Sequence, residues 1–259
     1  MQQEKERADL EPSKPPQQEP EQKAQEHEEA VQYSTIREYY VTTVVCTIFA
    51  LFVTTYVVHP MTVPTPSMVP TIEVGDRLLI DKFTYRNGFD QGPGLTASRQ
   101  VQRGDIVVFK FPKDPKVLYV KRAIGLPGES LEIHDKKVHI NGEPLQEDYT
   151  QFSDPNIRSG RGIHGFEFSK RDNFGPLEIP QGHLFVMGDN RDDSADSRYF
   201  GLLDQKLIVG RPMVVFWSYK DAPDAYRKTT PLEMIKLYGE RVIYFLTRTR
   251  WERFGHLVR

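Results

Sequence analysis

The chain has 259 residues and a formal net charge of −2, with 34 Lys or Arg against 36 Asp or Glu. It lacks the basic excess that is typical of nucleic-acid-binding proteins, so we expect no nucleic-acid partner. The single cysteine, Cys46, excludes an intrachain disulfide and a zinc site built from cysteines.

The first 30 residues are rich in Gln, Glu, Lys and Pro and contain few large apolar side chains. Such a segment cannot bury enough apolar surface to offset the entropy of ordering the chain. Residues 1–37 are therefore predicted to form a disordered tail. A regulatory docking tail is the alternative, but no feature of the sequence supports it.

An uncharged segment, YYVTTVVCTIFALFVTTYVV, follows at 39–58. It matches the roughly 20 apolar residues that cross a bilayer as a helix, and it is too long for the apolar region of a cleaved signal peptide. Residues 38–58 are therefore predicted to form a transmembrane helix. Lys23 and Arg37 precede the helix, whereas 59–72 contains no Lys or Arg. This bias predicts that the tail is cytoplasmic and that the rest of the chain lies outside.

A proline-rich segment, VPTPSMVPT, comes next at 63–71. Pro66 precedes Ser67 and Pro70 follows it, and proline favours extended geometry in the residue before it. Ser67 is thus predicted to lie on a stiff, extended segment, at most about 30 Å from the end of the span. Taken alone, the segment also fits a tether between an anchor and a domain.

Beyond residue 72, short runs of Val, Ile, Leu, Phe and Tyr alternate with Gly and Pro, which predicts a mainly β domain. Asn141-Gly142 is a hairpin signal, and residues 86–100 are predicted to form a loop. Residues 144–182 are polar with weak periodicity and indicate an insertion. The predicted strands are Arg77–Tyr85, Asp105–Phe111, Val117–Ile124, His183–Met187 and Ile208–Trp217.

The strand VLYVKRAI at 117–124 is apolar on both faces apart from its two basic residues. Burial on such a strand would disfavour the ammonium form of Lys121 and lower its pKa. Lys121 is therefore a candidate neutral amine that can accept a proton, whereas the guanidinium of Arg122 stays charged. The alternative is a lysine whose stem packs on the sheet while its ammonium reaches water.

The segment GDNRDDSADSR at 188–198 contains four aspartates and two arginines. A calcium-binding EF-hand loop that began at Asp189 would need an acidic or amide residue where Arg191 stands and a glycine where Ser194 stands. The pattern therefore fails. An Asx-rich turn remains open, and the two arginines indicate ion pairs that would order the loop.

The C-terminal segment 231–259 has apolar residues at helical spacing, with Lys and Arg between them and Trp251 and Phe254 near its end. It is too charged to span a bilayer. We predict a basic amphipathic helix that lies in a membrane interface, and the alternative is a helix that packs on the protein's own sheet.

Four motifs occur in a fixed order: PSMVPT with GDRLLIDKF, RGDIVVFKFPKDPKVLYVKRAIGLPG, GDNRDDSADSRYFG and VGRPMVVFW. In these motifs the chain resembles the type I signal peptidases, which are membrane-bound Ser–Lys proteases, over most of 63–217. The resemblance implies a mainly β catalytic domain at 59–230 with an inserted β cap at 130–182, after one N-terminal transmembrane helix. The larger familiar members of the family carry a second span and a longer insertion.

The resemblance also implies roles for individual residues. Ser67 would be the nucleophile, Lys121 the general base, and Ser194 a residue that helps to orient the lysine. The hydroxyl of Thr65 would join the backbone N–H of Ser67 in an oxyanion hole. Many relatives have serine and then glycine where this chain has Thr65 and Pro66, and threonine keeps the hydroxyl.

By position, a second set of residues matches the family's substrate pocket, and a third set its structural charged residues. Substrates would be exported preproteins whose signal peptides end in small residues of A-x-A type, and membrane lipid would be the other partner. No metal or cofactor is implied, and the location would be the bacterial plasma membrane. The pocket residues are Met61, Val63, Tyr119 and Val120, and the charged residues are Arg122, Asp189, Arg191, Asp196 and Arg198.

Two other functions fit parts of the sequence. One is a Ser–Lys protease like the autocleaving SOS-response repressors, although those carry a DNA-binding domain where this chain has a span. The other is a membrane-tethered β domain without enzymatic activity, which the joint presence of Ser67, Lys121 and Ser194 disfavours.

Overall fold

The computed structural model describes residues 18–85, 99–158, 168–220, 230, 236 and 239–259, with the backbone alone for 18–34 and 168–169. The chain divides into two units, one ending at Phe52 and the other starting at Val53. Most of the predicted loop at 86–100 lies outside the described residues.

The first unit contains one long helix, α1, which runs from Gln18 to Phe52. Thr35–Val57 is long and apolar enough to cross a membrane, with a mean hydropathy of 1.8. The prediction of disorder is wrong for residues 18–37, which belong to the helix. Their Glu, Gln, Lys and Ala are strong helix formers, and Pro20 lies in the first turn, where its missing N–H costs nothing.

The second unit is built from antiparallel strands that form two sheets in the described part of the chain. The larger sheet has eight strands, and the smaller one has four. In chain order the strands are β1 (Val58–Thr62), β2 (Asp76–Asp81), β3 (Ile106–Phe111), β4 (Asp114–Gly125), β5 (Ser130–His134), β6 (Lys137–Ile140), β7 (Glu143–Pro144), β8 (Phe174–Glu178), β9 (His183–Met187), β10 (Leu203–Asp204), β11 (Ile208–Ser218) and β12 (His256–Leu257).

The larger sheet has the order β1-β2-β11-β3-β4-β9-β10, and β12 pairs with β11. All five predicted strands are present, and β2 is shorter than predicted. It ends at Asp81 because the carboxylate of Asp81 accepts hydrogen bonds from Phe83 N at 2.7 Å and from the hydroxyl of Thr84. Such an Asx turn replaces the ladder and redirects the chain.

The smaller sheet has the order β7-β6-β5-β8 and is the inserted β cap of the sequence analysis. Asn141 and Gly142 connect β6 to β7 with φ values of 53° and 85°. Positive φ at both central residues is the geometry of a type I′ hairpin turn, as the Asn-Gly pair predicts.

Strand β4 connects the buried regions of the second unit. Val120 belongs to one core cluster with Met68 and Ile72, whereas Ile124 belongs to another with Leu131 of the cap. The second half of β4 is buried because it contributes to both cores. This burial explains why apolar residues surround its two basic residues.

The helix predicted for 231–259 ends at Arg248, and the prediction is wrong for the residues after it. A short helix, α2, covers Phe245–Arg248, a 3₁₀ turn covers Trp251–Arg253, and β12 then pairs with β11. Val258 is 2% exposed in the core. The physical reason is electrostatic, because Arg253 donates to the buried carboxylate of Asp76 at 2.6 Å and draws this segment onto the sheet.

Candidate active site

Ser67 lies in a tight turn after β1, and the prediction of an extended segment is wrong here. Val69 N donates to Pro66 O at 3.1 Å, and Ile72 N donates to Met68 O at 2.8 Å. The side chains of Met68 and Ile72 are buried in the core, and they anchor the turn to the domain. The Ser67 side chain is thereby fixed on the rigid domain, with the residue 8% exposed.

Lys121 lies in the middle of β4, opposite Val107 of β3. Its Nζ lies 2.6 Å from Ser67 Oγ and 3.0 Å from the carbonyl oxygen of Val120. The residue is 4% exposed, so the amine has little access to water. The structure therefore brings together the two residues that the sequence analysis assigns as nucleophile and base.

Burial lowers the pKa of Lys121 from 10.5 to about 8. The carboxylates of Asp196 and Asp189 act in the opposite direction, because a nearby negative charge favours the ammonium form. Burial has the larger effect. Near and above pH 8 a substantial part of Lys121 is a neutral amine that can accept the proton of a serine hydroxyl.

Ser194 lies on the loop that follows β9 and is 6% exposed. Within the described residues its buried Oγ makes no hydrogen bond to Lys121, and a side-chain contact with Asp196 helps to lower the pKa of that carboxyl. The orienting role of Ser194 towards Lys121 stays a prediction. The loop nevertheless packs closely on the nucleophile. A Cβ atom at Gly188 would lie 2.3 Å from Ser67 O and 2.4 Å from Ser194 Oγ, so only glycine fits at this position.

The predicted structural charges form buried ion pairs around this loop. Arg122 donates to both carboxylate oxygens of Asp189, at 2.8 Å and 2.7 Å. Arg198 pairs with Asp196 at 2.8 Å. Burial alone would raise the pKa of Asp196, but the adjacent Arg198 lowers it overall, so the carboxylate stays ionised. Two-point pairing of this kind fixes the direction of the side chains.

Sequence reasoning missed the partner of Arg191 and a charged cluster around Asp192. Arg191 pairs with Glu147 at 2.5 Å, and Asp192 pairs with Lys136 at 2.8 Å. Each partner lies more than 40 residues away along the chain. No local pattern in the sequence marks such a pair.

A cavity of about 980 Å³ opens beside Ser67 and Lys121. Ser194 and the exposed residue Thr65 also lie in its wall. The four predicted pocket residues line the cavity as well, namely Met61, Val63, Tyr119 and Val120.

The walls on either side of the cavity are strand edges. In the described residues β1 pairs with β2 alone, and Leu118–Lys121 of β4 pairs with β3 alone. Each segment therefore leaves backbone groups available on the side away from its partner. An extended peptide can pair with such an edge while its side chains enter the cavity.

Comparison with known proteins gives a consistent result. The family described as signal peptidase, peptidase S26, matches residues 36–217. Signal peptidase I of Pseudomonas fluorescens is 33% identical over 196 residues, covering 66% of this chain and 69% of its own length. Signal peptidase I of Leptolyngbya laminosa is 34% identical over 177 residues, covering 66% and 74%. Signal peptidase I V of Bacillus subtilis is 40% identical over 144 residues, covering 56% and 77%.

A solved structure of a signal peptidase I from Enterococcus faecalis is 35% identical. The match covers 44% of this chain and 98% of that chain, with a TM-score of 0.35. The match to the family includes the apolar helix, the Ser67 turn, β4 and the loop after β9. The chain therefore belongs to the signal peptidase family, peptidase S26, and is a serine endopeptidase.

Proposed function

We propose that this protein removes N-terminal signal peptides from exported preproteins with a dyad of Ser67 and Lys121. The observation that carries the proposal is the 2.6 Å contact between a buried amine and a serine hydroxyl in the wall of a peptide-sized cavity. A serine hydroxyl needs an adjacent base to become nucleophilic. A lysine with a pKa of about 8 meets that need without a histidine.

In the proposed reaction, Ser67 Oγ attacks the scissile carbonyl carbon while the neutral amine of Lys121 takes the hydroxyl proton. The resulting ammonium then donates that proton to the leaving amine, and an acyl-enzyme ester forms on Ser67. Lys121, neutral again, takes a proton from the water that attacks the ester and passes it to Ser67 Oγ as the acyl–serine bond breaks, which regenerates the enzyme. The same group thus acts as base and then acid in each half of the reaction.

The oxyanion of the tetrahedral intermediate would be bound by the backbone N–H of Ser67 and the hydroxyl of Thr65. Within the described residues the Ser67 N–H donates to no other group, and Thr65 lies in the cavity wall. One such donor is typically worth about 2.7–4 kcal/mol of transition-state stabilisation. Ser194, which packs against Gly188 beside the Ser67 backbone, would help to orient Lys121.

The substrate would add as an extended strand between β1 and β4, with its backbone paired to the two free edges. Its side chains near the scissile bond would face Met61, Val63, Tyr119 and Val120. Val63 and Val120 are 4% and 5% exposed, so the floor of the cavity is closed. A closed apolar floor accepts small side chains, which supports cleavage after signal peptides of A-x-A type.

The helix α1 would anchor the enzyme in the plasma membrane of a bacterium, with lipid as its permanent partner. The N-terminus would be cytoplasmic and the catalytic domain extracytoplasmic. No nucleic acid takes part in the proposed function.

The test is a cleavage assay on a purified preprotein with wild type, Ser67→Ala and Lys121→Arg. We expect both variants to lose activity, since alanine removes the nucleophile and arginine cannot supply a neutral base. A melting curve for each variant controls for folding. Near-normal turnover by Lys121→Arg would rule out the proposed base, and turnover by Ser67→Ala would rule out the nucleophile.

A further inference from the structure

Asp192 is a buried carboxylate in the wall of the active-site cavity, two positions before Ser194. Its side chain is 3% exposed. Oδ1 accepts a hydrogen bond from Lys136 Nζ at 2.8 Å, and Oδ2 accepts one from Asp154 N at 2.8 Å. Arg171 Nε lies 3.5 Å from Oδ1. All three donors belong to the inserted segment that carries the cap.

Lys136 occupies an unusual position at the tip of the β5–β6 hairpin. Asp135 and Lys136 have φ values of 48° and 72°, a left-handed conformation that costs free energy in residues with a side chain. Lys136 N donates to Asp172 O at 2.8 Å, and the Lys136 side chain is 10% exposed. The strained turn thus directs a largely buried cation at Asp192, which lies on the loop after β9, residues 188–196, here called the catalytic loop.

The catalytic loop transmits the position of Asp192 to the reacting groups. Asp193 N donates to Asn190 O at 3.2 Å, and Asn190 N donates to Ser67 O at 3.1 Å. Ser194 packs against Gly188 with no space between them. A displacement of Asp192 would therefore move the groups that contact Ser67.

We propose that Lys136 of the cap is a positioning residue for catalysis, which holds Asp192 and thereby the Ser194 loop against Ser67. The proposal rests on the proposed function of the Ser67–Lys121 dyad. Lys136 is absent from the described lining of the cavity, so it acts through Asp192 and not on the substrate. The cap then contributes to the catalytic apparatus as well as to the shared core.

The experiment measures kcat and KM on a quenched peptide substrate ending in Ala-x-Ala for full-length wild type, Lys136→Met, Lys136→Arg and Lys137→Met. Lys137 is the next residue of the same hairpin and is exposed, so it is a matched control. We expect Lys136→Met to lower kcat by about 10- to 100-fold, because small misplacements of catalytic groups have effects of this size. KM should stay close to wild type, Lys136→Arg should recover much of the rate, and Lys137→Met should match wild type.

Burst titration with an acylating inhibitor separates positioning from folding, since it counts the competent active sites. A positioning role predicts an undiminished burst with a slower rate per site. If Lys136→Met lowers only the number of sites and leaves the rate per site at the wild-type value, the proposal is wrong and the cluster is only structural. Lys136→Met and Asp192→Asn should also be non-additive in kcat, because both break the same contact.

Ser67→Ala, assayed in parallel, distinguishes the two failures. Activity in Ser67→Ala would overturn the proposed function itself. An inactive Ser67→Ala together with equal rates per site for Lys136→Met and Lys137→Met would overturn the role of Lys136 alone.

Discussion

Lys121 and Arg122 are adjacent basic residues, both about 4% exposed, whose pKa values are shifted in opposite directions. Burial lowers the pKa of Lys121, whose Nζ contacts a serine hydroxyl and a carbonyl oxygen. Burial also acts to lower the pKa of Arg122, but the two hydrogen bonds to Asp189 outweigh it and raise that pKa. Alternation along β4 sends the two side chains to different faces, which is why one can serve as a base and the other as a structural cation.

The pKa of Lys121 predicts the pH dependence of the reaction. Below about pH 8 the ammonium form dominates and cannot accept the serine proton, so kcat/KM should rise with pH through an apparent pKa of about 8. A pH–rate profile for peptide cleavage measures this limb. A limb near the ordinary lysine pKa of 10.5 would contradict the role of burial.

The same shift gives the sign of the effect of pH on stability. Because the folded-state pKa is depressed, the unfolded chain binds more protons between about pH 8 and 10.5, and the contribution of Lys121 to stability rises with pH through that window. Lys121→Met should remove this contribution. Melting curves of both proteins across the window check the sign, with the variant showing the weaker pH dependence.

At the scale of elements, the C-terminal segment divides into two parts with different surroundings. Arg250 and Arg253 bind Glu73 and Asp76, so these arginines face the protein's own carboxylates and not lipid. The helical part before them packs through Phe245, whose ring lies 5.8 Å from that of Trp217. Lys220 N also donates to Arg248 O at 2.9 Å, so the packed helix that was the alternative prediction is present around Phe245 and Arg248.

Other side chains of the same helical part point away from the sheet. Val242, Ile243 and Leu246 are 77%, 75% and 73% exposed. Trp251 and Phe254 are also exposed, at 52% and 66%. Exposed apolar and aromatic side chains next to basic residues are typical of segments that lie in a membrane interface. We therefore propose that these exposed apolar side chains contact the membrane, whereas Arg250 and Arg253 do not.

The prediction is that a chain lacking residues 1–58 binds anionic liposomes through this surface. A triple substitution, Val242→Ser with Ile243→Ser and Leu246→Ser, should weaken binding by well over tenfold, since each fully buried aliphatic side chain is worth about 1.5–3 kcal/mol. Liposome flotation measures the binding of each protein to the anionic liposomes. The control is Ile157→Ser, an exposed residue elsewhere in the domain, which should leave binding unchanged. Equal flotation of the triple variant and wild type would exclude this surface.

At the scale of the whole molecule, the described part of the chain combines an apolar helix with a mainly β unit whose two sheets share the core at β4 and β9. Two residues of the inserted segment, Lys136 and Glu147, form ion pairs with Asp192 and Arg191 of the loop after β9. These ion pairs connect the cap to the larger sheet. A proteolytic domain tied to a membrane helix can act only on one side of the bilayer, and its orientation decides which proteins it meets.

The proposed orientation can be tested with the one native cysteine removed. In a Cys46→Ser background, Lys137→Cys places a thiol at an exposed position of the cap, and Gln3→Cys places one in the tail. A membrane-impermeant maleimide should label Lys137→Cys from outside the cytoplasmic membrane and label Gln3→Cys only after lysis. The reverse pattern would show that the few basic residues before the span do not set the orientation.

Local patterns in the sequence were enough to predict the apolar span, the five longer strands and the Asn-Gly hairpin. Each depends on residues within one turn or one strand, where periodicity, length and proline or glycine determine the backbone. Ser67 and Lys121 were paired as nucleophile and base only by the resemblance that the four motifs carry, because each local pattern also fits a tether or a lysine that reaches water. The disorder predicted for residues 18–37 and the extended geometry predicted at Ser67 failed, because helix propensity and turn hydrogen bonds prevailed there.

Only the tertiary structure decided which distant groups meet. Ser67 and Lys121 are 54 residues apart in sequence and 2.6 Å apart in space, and the pairing of β3 with β4 places the lysine beside the serine. Arg253 reaches Asp76 across 177 residues and ends the predicted C-terminal helix early. A buried charge is stable only beside a partner, and the partner is chosen by how strands pair and sheets pack, which no local pattern in the chain specifies.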